Sequence, residues 1–248
     1  MSVTRGRLRL VKSLPHVEAS FRRRPDRVEL ELVYALQAEK MADLSPTAYI
    51  YPIRGAIERL RFREVIGRFH LSYVDVALGM KEGKTLRCVM DTASIEMSDI
   101  YNALYDPDTS NLREHATSIL CRVSLPNLLV INRIELLPYH RGMGLGLAFL
   151  WHLIRRHSAG CGIVAAIAMP PQFREKFRNM EKDDYQIRMN YESFGGAIDG
   201  PREKLVSLYK KLGFSEIGAD DVMAMSTGMP HEIPEEIRRW VPDAIGTR

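Results

Sequence analysis

Residues 128–146, LLVINRIELLPYHRGMGLG, constrain this chain more than any other stretch, because an apolar branched run stops at a proline and passes through a glycine-rich turn into an amphipathic segment. Leu128 to Ile131 and Ile134 to Leu137 have the character of a buried strand, and Pro138 ends it because proline has no N–H to give a ladder. After Arg141-Gly142-Met143-Gly144-Leu145-Gly146, the residues Leu147, Leu150, Trp151 and Ile154 recur at spacings of three and four, which is one apolar face of a helix. Alternating glycines lack Cβ atoms, so the backbone of such a turn can approach a ligand, and successive N–H groups at a helix start form a cradle for the oxygens of a diphosphate. The turn is not a P-loop, since no Gly-Lys-Ser/Thr follows, nor the dinucleotide fingerprint, whose spacing is Gly-x-Gly-x-x-Gly.

Leu136-x-Pro138-x-His140-Arg141-Gly142-Met143-Gly144-Leu145-Gly146 resembles motif A of the GNAT superfamily of N-acetyltransferases, whose core is Arg/Gln-x-x-Gly-x-Gly/Ala after a strand. Further on, LVSLYKKLGFSEIG, from Leu205 to Gly218, is similar to motif B, in which a tyrosine-bearing helix runs into Lys-Leu-Gly-Phe and a strand. The resemblance covers about Phe69 to Thr227 and is weaker before Leu128. It implies an α+β fold with a mixed, mostly antiparallel sheet, flanked by helices, in which the strands either side of the motif A helix run parallel and splay apart. It also implies acetyl-CoA as cofactor, with the diphosphate on Arg141, Gly142, Met143, Gly144, Leu145 and Gly146 and the pantetheine amides on Leu136 and Leu137. Acetyl would pass to a primary amine of unknown identity by direct attack in a ternary complex. Tyr209 stands where the family often places the acid that protonates the CoA thiolate, although it also lies on an apolar stripe. The oxyanion is expected on a backbone N–H near Leu136 or Leu137. Glu135 is the carboxylate beside the expected centre, but strand alternation turns it away from the side of Leu136 unless a bulge reorients it. A water relay or a residue of a later insertion competes with it as base.

The 248 residues, 46% of them hydrophobic, are enough for one core, and the expected organisation is a basic arm over 1–27, an acyltransferase domain over 28–230 and a tail over 231–248. With no apolar run of about 20 residues, neither a membrane span nor a secretory signal is expected, and a cytoplasmic location is. The arm holds Arg5, Arg7, Arg9, Lys12, Arg22, Arg23, Arg24 and Arg27 against Glu18 and Asp26, whereas the whole chain carries only +4. Such a concentration attracts nucleic acid or an acidic partner, but no aromatic residues interleave it as stacking platforms, so a solvated arm is the plainer expectation. A CoA-binding protein without catalysis and a nucleic-acid-associated protein therefore stand as alternatives, and the family often forms homodimers. Cys88, Cys121 and Cys161 are odd in number and widely spaced, which argues for reduced, partly buried thiols and against a disulfide framework or zinc site. No metal is implied.

The remaining elements follow from periodicity. Val28 to Met41 is ambiguous at its start, where apolar residues alternate, and becomes helical near Tyr34; a second helix is expected over Ile53 to Ile66, with Arg54, Arg59, Arg61 and Arg63 on its polar side. A hairpin is expected from Phe69 to Leu78, through Lys81-Glu82-Gly83-Lys84, to Leu86 to Met90. Ser94 to Tyr105 and Leu112 to Val123 read as helices, the second capped by Ser110. These helices depart from the family, in which the central strands follow one another by short turns; an inserted helical pair over the sheet, or a partner surface, is expected over 94–123. After a strand at Ile163 to Met169, residues 172–200 form a second departure, rich in aromatic and basic side chains, which reads equally as a lid over the acceptor end or as a packed embellishment. The motif B helix, capped by Asp199, a pair of strands at Phe214 to Ile217 and Val222 to Met225, and a short helix within Pro234 to Trp240 complete the chain.

Overall fold

The computed structural model describes residues 30–36, 46–59, 64–173, 183–191, 198–218 and 221–238; the basic arm and most of the tail lie outside the described residues. Within them the strands are β1 (Leu30–Leu36), β2 (Ile50–Arg59), β3 (Glu64–Val74), β4 (Asn127–Leu136), β5 (Cys161–Ile167), β6 (Ser215–Glu216) and β7 (Val222–Ser226). They form one sheet in the order β1-β2-β3-β4-β5-β7-β6. Only β4 and β5 run parallel among these pairs. This is the mixed, mostly antiparallel sheet with one parallel pair that the sequence led us to expect.

The first third of the chain corrects that expectation. Val28 to Met41 supplies strand β1, and Ile53 to Ile66 is divided between β2 and β3. Positions i and i+4 share a face in both periodicities, so Ile53 and Ile57 fit a strand as well as a helix. The reverse error occurs at Leu86 to Met90. After β3 come helices α1 (Val76–Lys81) and α2 (Leu86–Asp91), not the second arm of a hairpin. Asp75 caps α1 by accepting from the Leu78 N–H at 3.0 Å, and Thr85 caps α2 by accepting from Cys88 at 3.2 Å. Each cap satisfies an N–H that the first turn leaves without a helical partner.

Helices α3 (Ile95–Leu104, capped by Ser94) and α4 (Glu114–Leu120) follow. Ser110 is not the cap of α4, since Arg113 occupies that position without a side-chain bond and Ser110 has φ 57° in the preceding turn. These four helices bury Val89, Met90, Ile100, Tyr101 and Leu104 against Val74, Leu128, Val130, Ile163, Val222 and Ala224, covering one face of the sheet.

The other face carries α5 (Leu145–His157), α7 (Asp199–Lys210) and α8 (Glu235–Arg238), while α6 (Asp184–Arg188) lies within the second insertion. Almost every residue of α5 from Leu145 to Ile154 is buried, with Phe149 and Leu150 packed in one cluster with Leu71, Leu129, Ile131 and Val164 of the sheet. Burying side chains of this kind stabilises by roughly 1.5–3 kcal/mol each. Asp199 falls inside α7, not at its cap; a carboxylate in the first turn still complements the helix dipole. Gly213, at φ 89°, ends α7 as expected, with Phe214 N–H returning to Tyr209 C=O at 3.2 Å. Cys161 is buried, whereas Cys88 and Cys121 are exposed, contrary to the expectation of partial burial; all three are free thiols.

Candidate active site

Strand β4 leaves its parallel partner halfway along. Leu71 opposes Ile131, and His70 opposes Arg133, so Asn132 is an extra residue in the ladder. A bulge of this kind bends the strand and increases its twist. Pairing of β4 with β5 runs from Asn127 to Ile131 and ends there, although β4 itself continues to Leu136. Because β5 ends at Ile167, one residue beyond its last pair with β4, the edge of Asn132 to Leu136 on that side has no paired strand among the described residues, which leaves a gap there.

Backbone directions in that segment follow from the ladder. Leu137 N–H donates to Ile66 C=O at 2.9 Å, so it is committed to β3. Because successive residues of an antiparallel strand turn their peptide groups to opposite sides, Leu136, opposite Gly67, turns its N–H and C=O toward the gap. The two leucines expected to act together are thus separated, and Leu136 alone faces the gap. Its carbonyl accepts from Arg141 Nε at 2.7 Å, while Arg141 Nη2 donates to Met189 C=O at 3.0 Å. The Arg141 guanidinium braces the glycine turn against the end of β4 and the second insertion.

Gly142 and Gly144 have φ 75° and 76°, in the left-handed region where a side chain is strained. Gly144 is the N-cap residue of α5, Leu145 is buried, and Met143 packs against the core beneath the turn. The first turn of a thirteen-residue helix leaves N–H groups without helical partners, and the left-handed glycines open it as the glycine spacing led us to expect. At Gly146 a Cβ would lie 3.6 Å from Leu136 Cδ1, so the helix start and the end of β4 are in contact.

The bulge also decides where Glu135 points. Ile131, Ile134 and Leu136 belong to the cluster beneath α5, whereas Leu137 belongs to a small cluster with Tyr185, Met189 and Tyr191. Glu135 is therefore on the face away from α5, opposite to that of Leu136. It is 5% exposed and accepts a hydrogen bond from Tyr191 Oη at 2.6 Å, with Arg133 Nε 3.5 Å from the same oxygen. Burial holds the Glu135 carboxyl above its ordinary pKa, and Arg133, the Tyr191 hydroxyl and Arg68 oppose that only in part. The Arg68 guanidinium lies 4.2 Å from the centre of the Tyr185 ring and pairs with Asp183; Arg188 pairs with Glu64 at 2.8 Å. Residues 183–191 are thereby pinned to β3 and the end of β4 as a packed embellishment; 174–182 and 192–197 lie outside the described residues.

Tyr209 is 5% exposed and its ring lies 5.2 Å from that of Phe214 in the cluster under α5. It shares that cluster with Leu136 and Leu145, and Glu135 does not. The Cys161 thiol, pushed up to about 12 by burial, is no nucleophile at neutral pH. Tyr191, Arg133 and Arg68 were not singled out from the sequence. Arg68 and His70 alternate with Phe69 and Leu71, which marks a polar strand face, but which strand lies opposite is not written in that alternation. Among the described residues no helix is long and apolar enough to cross a membrane, and no three His, Cys, Asp or Glu side chains group as a metal site. Comparison of the chain with protein-family models, with characterised proteins and with solved structures finds no match.

Proposed function

We propose that the chain is an acetyl-CoA-dependent N-acetyltransferase that passes acetyl to a primary amine. The observation that carries this is β4 running on past the end of its pairing with β5, with Leu136 turned toward that unpaired edge and a left-handed glycine turn opening α5 beside it. Such a gap accepts an extended amide chain as an added strand, and the turn accepts its diphosphate. When bound, the thioester supplies an already activated acetyl group. The residues of the chain must then supply a base for the amine, a donor for the oxyanion and an acid for the departing thiolate.

Leu136 N–H is the oxyanion donor in this proposal, since Leu137 N–H is occupied by Ile66. Glu135 takes the amine proton, directly or through one water, from the face away from α5; its raised pKa brings it closer to that of an amine than an exposed carboxylate would be. As the C–N bond forms and the C–S bond breaks, Tyr209 returns a proton to the sulfur. In this reading the acceptor approaches from the Glu135 face while the cofactor lies along the strand edge at Leu136.

Thermal unfolding with acetyl-CoA, CoA or ATP tests this. A ligand at about a hundred times its Kd adds about 2.7 kcal/mol, several degrees for a chain of this size. Both CoA species are expected to raise Tm and ATP is not, and Gly144→Glu, which fills the cradle, is expected to lose the shift. No shift in the unaltered protein at millimolar CoA would remove acetyl transfer from consideration.

A further inference from the structure

Among the described residues, two groups of elements cover the sheet face away from α5, and between them Arg54 is exposed and the Arg133 side chain is 32% exposed. Helices α1 to α4 cover it as far as Val74 and Val130, and residues 183–191 cover it again at Leu137. Three cross-strand rows lie on this face in the interval: Pro52, Ser72 and Val130; then Arg54, His70 and Arg133; then Ala56, Arg68 and Glu135. The middle row places two arginines and a histidine side by side on neighbouring strands, which lie about 4.8 Å apart. Arg54 is exposed and has no ion-pair partner among the described residues, and Arg133, its side chain 32% exposed, has only the 3.5 Å contact to Glu135. Beside the row, Asn132 Nδ2 donates to Ser72 Oγ at 2.7 Å, adding an amide and a hydroxyl to the same face.

The row is level with the point at which β4 parts from β5, since Arg133 is two residues past Ile131. Its next neighbour along β4 on the same face is Glu135. We infer that Arg54 and Arg133, on either side of His70, bind the anionic group of the acceptor, which is therefore a small primary amine carrying a carboxylate or a phosphate. The amine then reaches Glu135 and the gap while the anion lies on the row. This rests on the proposed acetyl transfer for the word acceptor, but the anion site itself does not. A row about 10 Å wide, closed above and below, suits a compact anion.

Calorimetric titration of CoA-saturated protein with two matched pairs, O-phosphoethanolamine against ethanolamine and β-alanine against β-alaninamide, tests the site. At least one anionic member is expected to bind tenfold or more tightly than its neutral partner, and which pair shows the larger ratio separates phosphate from carboxylate. Arg54→Gln and Arg133→Gln are each expected to reduce that ratio, and Arg54→Gln to leave Tm close to that of the unaltered protein because Arg54 is exposed and has no ion-pair partner among the described residues. Equal binding of both members, no binding of either anion at millimolar concentration, or an unchanged ratio in both variants would overturn the inference. A lost CoA shift with the anion preference intact would instead overturn acetyl transfer and the acceptor assignment, and keep the site.

Discussion

Glu135 illustrates how one carboxyl is governed by competing effects. Burial favours its neutral form, while Arg133 and the Tyr191 hydroxyl favour the charged form, and burial prevails. A carboxyl raised in the folded state retains its proton at a pH where the unfolded chain has released it. Its contribution to stability is therefore complete below the ordinary carboxylate range and is lost as pH rises through the raised value. Glu135→Gln keeps an acceptor for Tyr191 and is expected to flatten that decline, as read from urea unfolding at several pH values. Tyr191→Phe removes the hydroxyl and is expected to cost about 1–3 kcal/mol, since it leaves a buried carboxylate short of a donor. Tyr209→Phe tests a different role. If the phenol delivers the proton to sulfur, kcat falls by roughly 10²-fold or more while the CoA-induced Tm shift stays; an unchanged kcat would return Tyr209 to the core.

At the level of elements, the break in β4 arises from a single extra residue. Were Asn132 paired regularly, Glu135 would share a face with Ile131 and point under α5 into the apolar cluster; because Asn132 bulges, the carboxylate meets Tyr191. The strand, glycine turn and α5 were legible because each is determined locally: an apolar run, a proline, left-handed glycines and a stripe at helical spacing. The bulge was not, because Asn132 is extra only relative to β3. Strand β5 is held as tightly. A Cβ at Gly162 would collide with the Leu125 carbonyl oxygen in the segment leading into β4. Gly162→Ala is accordingly expected to lose about 2–4 kcal/mol in chemical denaturation. A loss below about 0.5 kcal/mol would show that the 123–125 segment yields easily.

For the whole molecule, the stretch between β3 and β4 completes a three-layer arrangement, with α1 to α4 on one face and α5, α7 and α8 on the other. What the sequence presented as a departure is the layer that buries the second face of the sheet. The acid limb of stability belongs to this scale as well. His157, in the last turn of α5, has its pKa lowered to about 4, chiefly by burial and then by Arg156, so burial outweighs the helix dipole that favours a cation there. Its contribution is full above the ordinary histidine value of 6.5 and is lost as pH falls toward about 4. Melting temperatures across that window should decline in the unaltered protein and decline less in His157→Gln.

The sequence by itself determined the strand, turn and helix around Gly144, the end of α7 at Gly213 and the apolar stripes that pack them, because caps, left-handed glycines and periodicity act over a few neighbouring residues. It left the start of β1 ambiguous and read β2 as a helix, since apolar residues four apart satisfy both periods. Tertiary structure alone decided which strands are neighbours. That choice assembled Arg54, His70 and Arg133 into one row, committed Leu137 to β3, turned Leu136 into the gap and buried Glu135 against Tyr191. Each of these depends on the register between segments far apart in the chain, and a one-residue shift in register changes the face on which every side chain lies.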